Sequence, residues 1–299
     1  MRARHLLAFA LLALIWGTTW LAIKFVVREM PPLTSAGVRF ALAALLLAAF
    51  ARGRGRALGW RRLPPAHRRV LLALSLLMFG VPYALIFYGE QFIPSALTAI
   101  LFSSAPAFTL LFESLRGQRN LVQGTRLGGL VLAFGGVLAI FLPRLSGPPA
   151  ELLGALAIVA AAGVSSWGLV LAKHKAHHID TLVGTTWQMT FGALWLLLAG
   201  LLVERPSWAS YSAPAMLGLL YLAVLGSCVT FVLFYGLLKQ MAAVQLSSLA
   251  FITPVVAVFV GWLVLDEVLG ASTLPGAVVV LVGVALLHRP LPEPVAAGD

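Results

Sequence analysis

The chain has 299 residues, 61% of them apolar and only 10% charged, with a formal charge of +11. Soluble domains carry about 25% charged residues, so this composition excludes a soluble globular fold and describes an integral membrane protein.

Continuous apolar runs of about 20 residues, enough to cross a hydrocarbon core about 30 Å thick, predict helices over 6–27, 34–51, 69–88, 95–113, 125–143, 151–172, 181–202, 214–238, 243–264 and 272–288. The expected fold is an all-α integral membrane protein of ten transmembrane helices. A transmembrane barrel is excluded because its strands would alternate polar and apolar residues. The first run is too long for a signal-peptide core and lacks an Ala-x-Ala-like exit, so it reads as a span.

In a ten-span arrangement 16 of the 21 Lys and Arg fall on one side, from Arg2 and Arg4 through the Arg52–Arg69 cluster to Lys173, Lys239 and Arg289. The opposite loops keep Arg28, Arg144 and Arg205, and Lys24 and Arg39 lie within spans. The positive-inside rule then puts both termini in the cytoplasm, in a bacterial inner (plasma) membrane. A basic chain of this kind meets anionic lipid rather than nucleic acid, which is not expected as a partner.

The chain reads as a duplication, with 1–146 as a first five-helix repeat and 147–299 as a second repeat with a short cytoplasmic tail. Phe87-Tyr88-Gly89 recurs as Phe234-Tyr235-Gly236, Thr18-Thr19-Trp20 lies on Ser165-Ser166-Trp167 at a shift of 147, and Pro106 lies on Pro254 at 148. Five is odd, so the second repeat enters the membrane from the opposite face, and two inverted repeats around one central site are the geometry of alternating access.

"LIWGTTWLAIKF", "FYG…IPSALTAILFSSAPAF" and "LSSLAFITPVVAVFVGWLVLDEVLGASTLPGAVVVLVGVALL" resemble the repeats of the drug/metabolite transporter superfamily, EamA-type branch, over about residues 8–288. Among its members the chain is similar to the YddG-type amino-acid exporters. The resemblance implies a carrier of small molecules in the bilayer, a secondary transporter exporting metabolites such as amino acids. The first repeat departs from the family by carrying "SLRGQRN", with Arg119 near the expected acid, so Glu267 has no symmetric partner.

None of the ten Asp and Glu falls near the middle of a span, and all six His fall in cytoplasmic segments. Proton-coupled carriers generally need a buried titratable group, so the pattern predicts a uniporter, with a proton-coupled exporter of other metabolites or drugs as the alternative. The expected substrate-binding residues are Trp16, Thr19, Trp20, Arg39, Tyr83, Ser103, Ser104, Ser165, Trp167, Ser227 and Ser248. Arg39 is placed to receive a carboxylate, hydroxyls to bind polar groups, and aromatic faces to hold an apolar side chain. The competing reading of Arg39 and Lys24 is snorkelling, or pairing of Arg39 with Glu90.

Gating falls to Phe87, Tyr88, Phe234 and Tyr235 at the two mouths, with Pro106 and Pro254 as hinges where the amide hydrogen is missing. Gly-rich stretches at 127–137 and 275–284 predict close helix pairing within a monomer or a weak homodimer. His174, His177 and His178 sit in a basic loop without the acids or Cys of a metal site, and Cys228 is the only cysteine. No catalytic residue, metal or cofactor is expected. The other function classes are a membrane-embedded enzyme built on that His loop, or a channel.

Overall fold

A computed structural model describes residues 3–117, 124–205, 211–243, 246, 249–271 and 273–287. Among these the regular structure is helical: α1 (Ala3–Val27), α2 (Pro32–Gly53), α3 (Pro65–Gly89), α4 (Ser95–Leu115), α5 (Thr125–Ser146), α6 (Pro149–Lys175), α7 (Thr181–Val203), α8 (Ala213–Leu238), α9 (Leu249–Leu265) and α10 (Leu274–Leu287). Eight are long and apolar enough to cross a membrane, and α9 and α10 are shorter apolar helices. The starts of α2, α3, α6 and α8 carry proline in the first turn, where no amide is needed.

A backbone in lipid must satisfy its own polar groups, and this chain closes its helix ends with charged side chains from distant elements. Glu204 accepts from the amides of Leu33 and Thr34 at the start of α2. Glu267 accepts from Ser95 N, Ser95 Oγ and Ala96 N at the start of α4. Glu29 accepts from Ser212 before α8, and those bonds hold its carboxyl below the usual range. At the other polarity, Lys24 Nζ donates to the carbonyls of Glu90 and Ile93 beyond α3, at 2.6 and 2.9 Å. Lys173 Nζ donates to those of Leu238 and Met241 at the end of α8.

The two lysine contacts are the same contact made twice, at a shift of 149 for the lysine and 148 for the carbonyls. Each long helix of the pair also carries a π-turn, Ser75–Gly80 in α3 and Val224–Val229 in α8, again 149 apart. Helix contacts follow the same scheme: α1 packs on α8 and α9, and α6 packs on α3 and α4. The structural register therefore differs from the one read from Thr18-Thr19-Trp20 and Ser165-Ser166-Trp167. At 149, Trp16 lies on Ser165 and Trp20 on Leu169, while Trp167 corresponds to Thr18. A two-residue offset turns a helical side chain by about 200°, a difference that decides which tryptophan faces inward.

The closest approaches join the halves. Gly136 of α5 meets Gly276 and Val280 of α10, where an added Cβ would lie 2.5 Å from the Val280 nitrogen; Gly129 meets Gly283 in the same seam. Gly37 of α2 lies against Leu197 of α7, and Gly200 against Thr34. In both seams the numbering runs in opposite senses, so each pair is antiparallel. The two prolines differ: α4 is interrupted by a turn at Ser103–Ser104 just before Pro106, whereas α9 runs through Pro254 without a break.

Candidate functional site

Side chains of α1, α2, α3, α4, α6, α8 and α9, with Leu246, surround a central cavity with about 870 Å³ of empty space, its opening included. Its wall is mostly aromatic and aliphatic: Trp16, Trp20, Tyr83, Phe102, Phe231 and Phe234 supply rings, and Ile23, Met78, Ile86 and Leu169 fill between them. Thr19, Thr109, Ser165, Ser166 and Thr253 supply hydroxyls. The rings brace one another, Trp16 lying 5.5 Å from Phe231 and 5.1 Å from Phe234, and Trp20 5.4 Å from Phe102.

One formal charge lines the space. Arg39 is 1% exposed, its Nε donating to Ser227 Oγ and one Nη to Gly226 O, both at 2.9 Å. The π-turn of α8 holds the acceptors in place, since Ser227 Oγ itself donates to Leu222 O across that widened turn. The guanidinium carbon lies 4.8 Å from the Tyr83 ring centroid and 5.1 Å from that of Phe40, a cation–π arrangement. Its remaining nitrogen, Nη1, has no hydrogen-bond partner, and neither does Trp20 Nε1 on the same cavity wall. Buried donors are rarely left unpaired, and two on one cavity are ready to receive an acceptor.

Of the residues expected to bind substrate, the fold brings Trp16, Thr19, Trp20, Arg39, Tyr83 and Ser165 to this cavity. Ser227 stands behind it as the anchor of Arg39. Ser103 and Ser104 are fully buried away from it, their hydroxyls donating back to Ile100 O and Leu101 O at the break in α4. Trp167 is 39% exposed on the outer surface against Phe112, as the corrected register requires. Ser248 lies outside the described residues. Sequence reasoning passed over Phe231, yet at the 148 shift it is the counterpart of Tyr83, and the two rings lie 6.5 Å apart at the centre.

The residues expected to gate fall into unlike surroundings. Phe87 is fully buried with its ring 6.0 Å from the Arg39 guanidinium, while Tyr88 is 41% exposed against Phe92. Phe234 lines the cavity, and Tyr235 is buried with its hydroxyl donating to Gln188 Oε1 at 2.6 Å. The lysine contacts make Phe87, not Tyr88, the counterpart of Tyr235, and Arg39 the counterpart of Gln188. Arg39 therefore does not pair with Glu90, and Lys24 does not snorkel: it is buried on its carbonyls. Glu90 and Glu113 stand at helix ends as expected, but both are buried, Glu113 accepting from or donating to His174 Nε2 at 2.9 Å. Among the described residues no group of three His, Cys, Asp or Glu is placed to hold a metal.

Among the described residues, a helical bundle encloses a central cavity walled by both halves of the chain. The chain belongs to the EamA-like transporter family, which matches residues 4–142 and again 152–289. It is a multi-pass membrane protein of a transporter family. It is similar to the uncharacterized transporter YoaV of Bacillus subtilis, 31% identical over 91% of this chain and 92% of that one. The uncharacterized inner membrane transporter YedA of Escherichia coli is 30% identical over 87% of this chain and 84% of that one, and the protein PagO of Salmonella typhimurium 29% over 84% and 81%. A solved crystal structure superimposes with a TM-score of 0.70 at 18% identity, covering 96% of this chain and 98% of that one, a likeness of fold.

Proposed function

We propose that the chain is a secondary transporter of the bacterial inner membrane that exports small carboxylates by alternating access, amino acids with aromatic or other apolar side chains foremost. One observation carries the substrate class: two unpaired buried donors, Arg39 Nη1 and Trp20 Nε1, on the wall of a cavity otherwise made of rings and aliphatic side chains. A carboxylate satisfies the donors, and an apolar side chain replaces water against the rings. The paired lysine contacts and π-turns support two equivalent halves, and antiparallel seams between α2 and α7 and between α5 and α10 support their inversion. The inner-membrane location follows the YedA relative and the charge bias. The expectation of uniport rests on no acid lying near the middle of a span, and Glu90, though fully buried, stands beyond the end of α3, where the sequence places it.

Counterflow in proteoliposomes with labelled phenylalanine, tryptophan, leucine, a nucleoside, a sugar and a quaternary amine tests the reading. The apolar amino acids should exchange and the amine should not. Arg39→Gln should weaken half-saturation about 10- to 100-fold, the loss of a charge-assisted hydrogen bond worth about 1.5–3 kcal/mol. Exchange of the amine in preference, or an Arg39→Gln protein with unchanged affinity, defeats the proposal.

A further inference from the structure

The segment joining α2 to α3 is far more basic than orientation of the chain requires. Seven arginines fall from Arg52 to Arg69, and no Asp or Glu occurs between Glu29 and Glu90, whereas the segments after α4, α6 and α8 on the same face carry one to three cations each. Cations settle well on a helix C-terminus, which accounts for those just after α2 but not for Arg61 and Arg62. The segment is also fastened down. Trp60, in the short turn Trp60–Arg62, packs on α7 with its ring 5.0 Å from that of Trp187 and 4.8 Å from that of Phe191, and Trp187 Nε1 donates to Leu58 O at 3.1 Å. Arg56 reaches Asp180, just before α7, at 3.7 Å. A piece of the first half is thus clasped on the second. Arg54, Arg61 and Arg62 stay exposed, and among the described residues none of the three has a carboxylate in salt-bridge range. The Arg54 guanidinium lies 4.9 Å from the ring centroid of Phe50, and Phe50 and Leu46, one turn apart, are 52% and 47% exposed on the outer face of α2.

We propose that this clasp is a binding site for an anionic phospholipid, whose phosphate is taken by Arg54, Arg61 and Arg62 and whose acyl chains lie on the Phe50 face of α2. Four to eight cations immediately beside a span are the pattern by which anionic headgroups are recognised. All seven cations here are arginine, which offers a phosphate paired donors where lysine offers a point charge. The occupant is a lipid and not a free phosphate because the site is half apolar: exposed Phe50 and Leu46 lie next to the guanidinium of Arg54 and face hydrocarbon. Trp60 and Trp187 stand where tryptophan commonly sits, at the level of the headgroups. The clasp ties the α2–α3 segment to α7, so a headgroup bound there braces the two halves against each other at the face that the charge bias assigns to the cytoplasm. The site is separate from the central cavity and does not depend on which substrate the cavity takes.

Equilibrium binding of radiolabelled phosphatidylglycerol to the purified protein in detergent micelles reads the site. Unlabelled phosphatidylglycerol should compete, and neither phosphatidylcholine nor inorganic phosphate should. Arg61→Gln combined with Arg62→Gln should weaken binding about 30-fold, the effect of removing two cations at a membrane surface. Arg116→Gln combined with Lys175→Gln, which removes two exposed cations after α4 and at the end of α6, should leave the affinity near the wild-type value. Trp60→Ala keeps every arginine but undoes the clasp and should weaken binding too, while Trp60→Phe, which keeps a ring on α7, should restore it. Equal losses in the two double variants would mean that binding follows net charge alone, and an unchanged affinity in Trp60→Ala would mean that the clasp builds no site; either result overturns the proposal. Competition by inorganic phosphate overturns it as well, because the occupant is then a soluble anion.

Discussion

Tyr88 and Tyr235 show how far a matching tripeptide is from a matching environment. Tyr235 is buried and its hydroxyl is spent on Gln188, whereas the Tyr88 ring is exposed and its neighbour across the ring contact is Phe92. Removing a hydroxyl that leaves a buried amide unpaired costs about 1–3 kcal/mol, while an exposed hydroxyl costs little. Tyr235→Phe should therefore lower the thermal midpoint and Tyr88→Phe should not. Cys228, the single cysteine and 9% exposed, reports unfolding through a thiol-reactive fluorophore. Equal losses in both variants would mean that the two tyrosines are equivalent after all. At this scale the cavity was partly legible: a lone arginine in an apolar run, and aromatics beside hydroxyls on α1, α3 and α6, are unusual enough to be placed by chemistry alone. Ser103, Ser104 and Trp167 were not, because a hydroxyl that bonds its own helix and a tryptophan that faces outward have the same one-letter signal as those that line a cavity.

Helix positions were legible throughout, since an apolar run of fixed length is all that a span requires, and the predicted bounds fall within a few residues of α1 to α8 and α10. The π-turns were not legible. An extra residue in a turn is a tertiary accommodation, here serving to present Gly226 O and Ser227 Oγ to Arg39, and no residue type announces it. The glycine seam between α5 and α10 follows from the Gly-rich stretches, and its two kinds of glycine can be told apart only by contact. At Gly136 a Cβ would collide with backbone atoms of α10, whereas at Gly135 nothing lies within 4 Å. Gly136→Ala should destabilise by about 1–3 kcal/mol, the cost of overpacking. Gly135→Ala should stabilise by up to about 1 kcal/mol, because alanine is the better helix former. Melting of the two variants beside the wild type checks the pair, and a common direction would show that the seam is not tightly packed.

At the scale of the molecule, the buried layer beyond the cavity at the α3–α4 connection is closed by Glu267 on the start of α4, with Ser95 and Glu90 both fully buried. At the opposite end of α4 the link is Glu113 to His174 of α6. Alternating access requires that these two closures not open together, so weakening one should populate one state and weakening the other its opposite. Ile23, 2% exposed on the cavity wall, is a reporter of the first state when replaced by Cys in a Cys228→Ser background. Glu267→Gln weakens bonds to a charged acceptor by about 1.5–3 kcal/mol. If that contact exists only in the closed layer, the open population rises about 10- to 100-fold. Labelling of Ile23→Cys by a membrane-impermeant thiol reagent applied from outside should rise correspondingly in Glu267→Gln. In Glu113→Gln it should fall below the level of the Ile23→Cys parent, because that change releases the opposite end. Labelling that moves in one direction in both variants while transport persists would mean that these carboxylates only staple helices together, and the two-state exchange of the halves would have to be sought in other contacts.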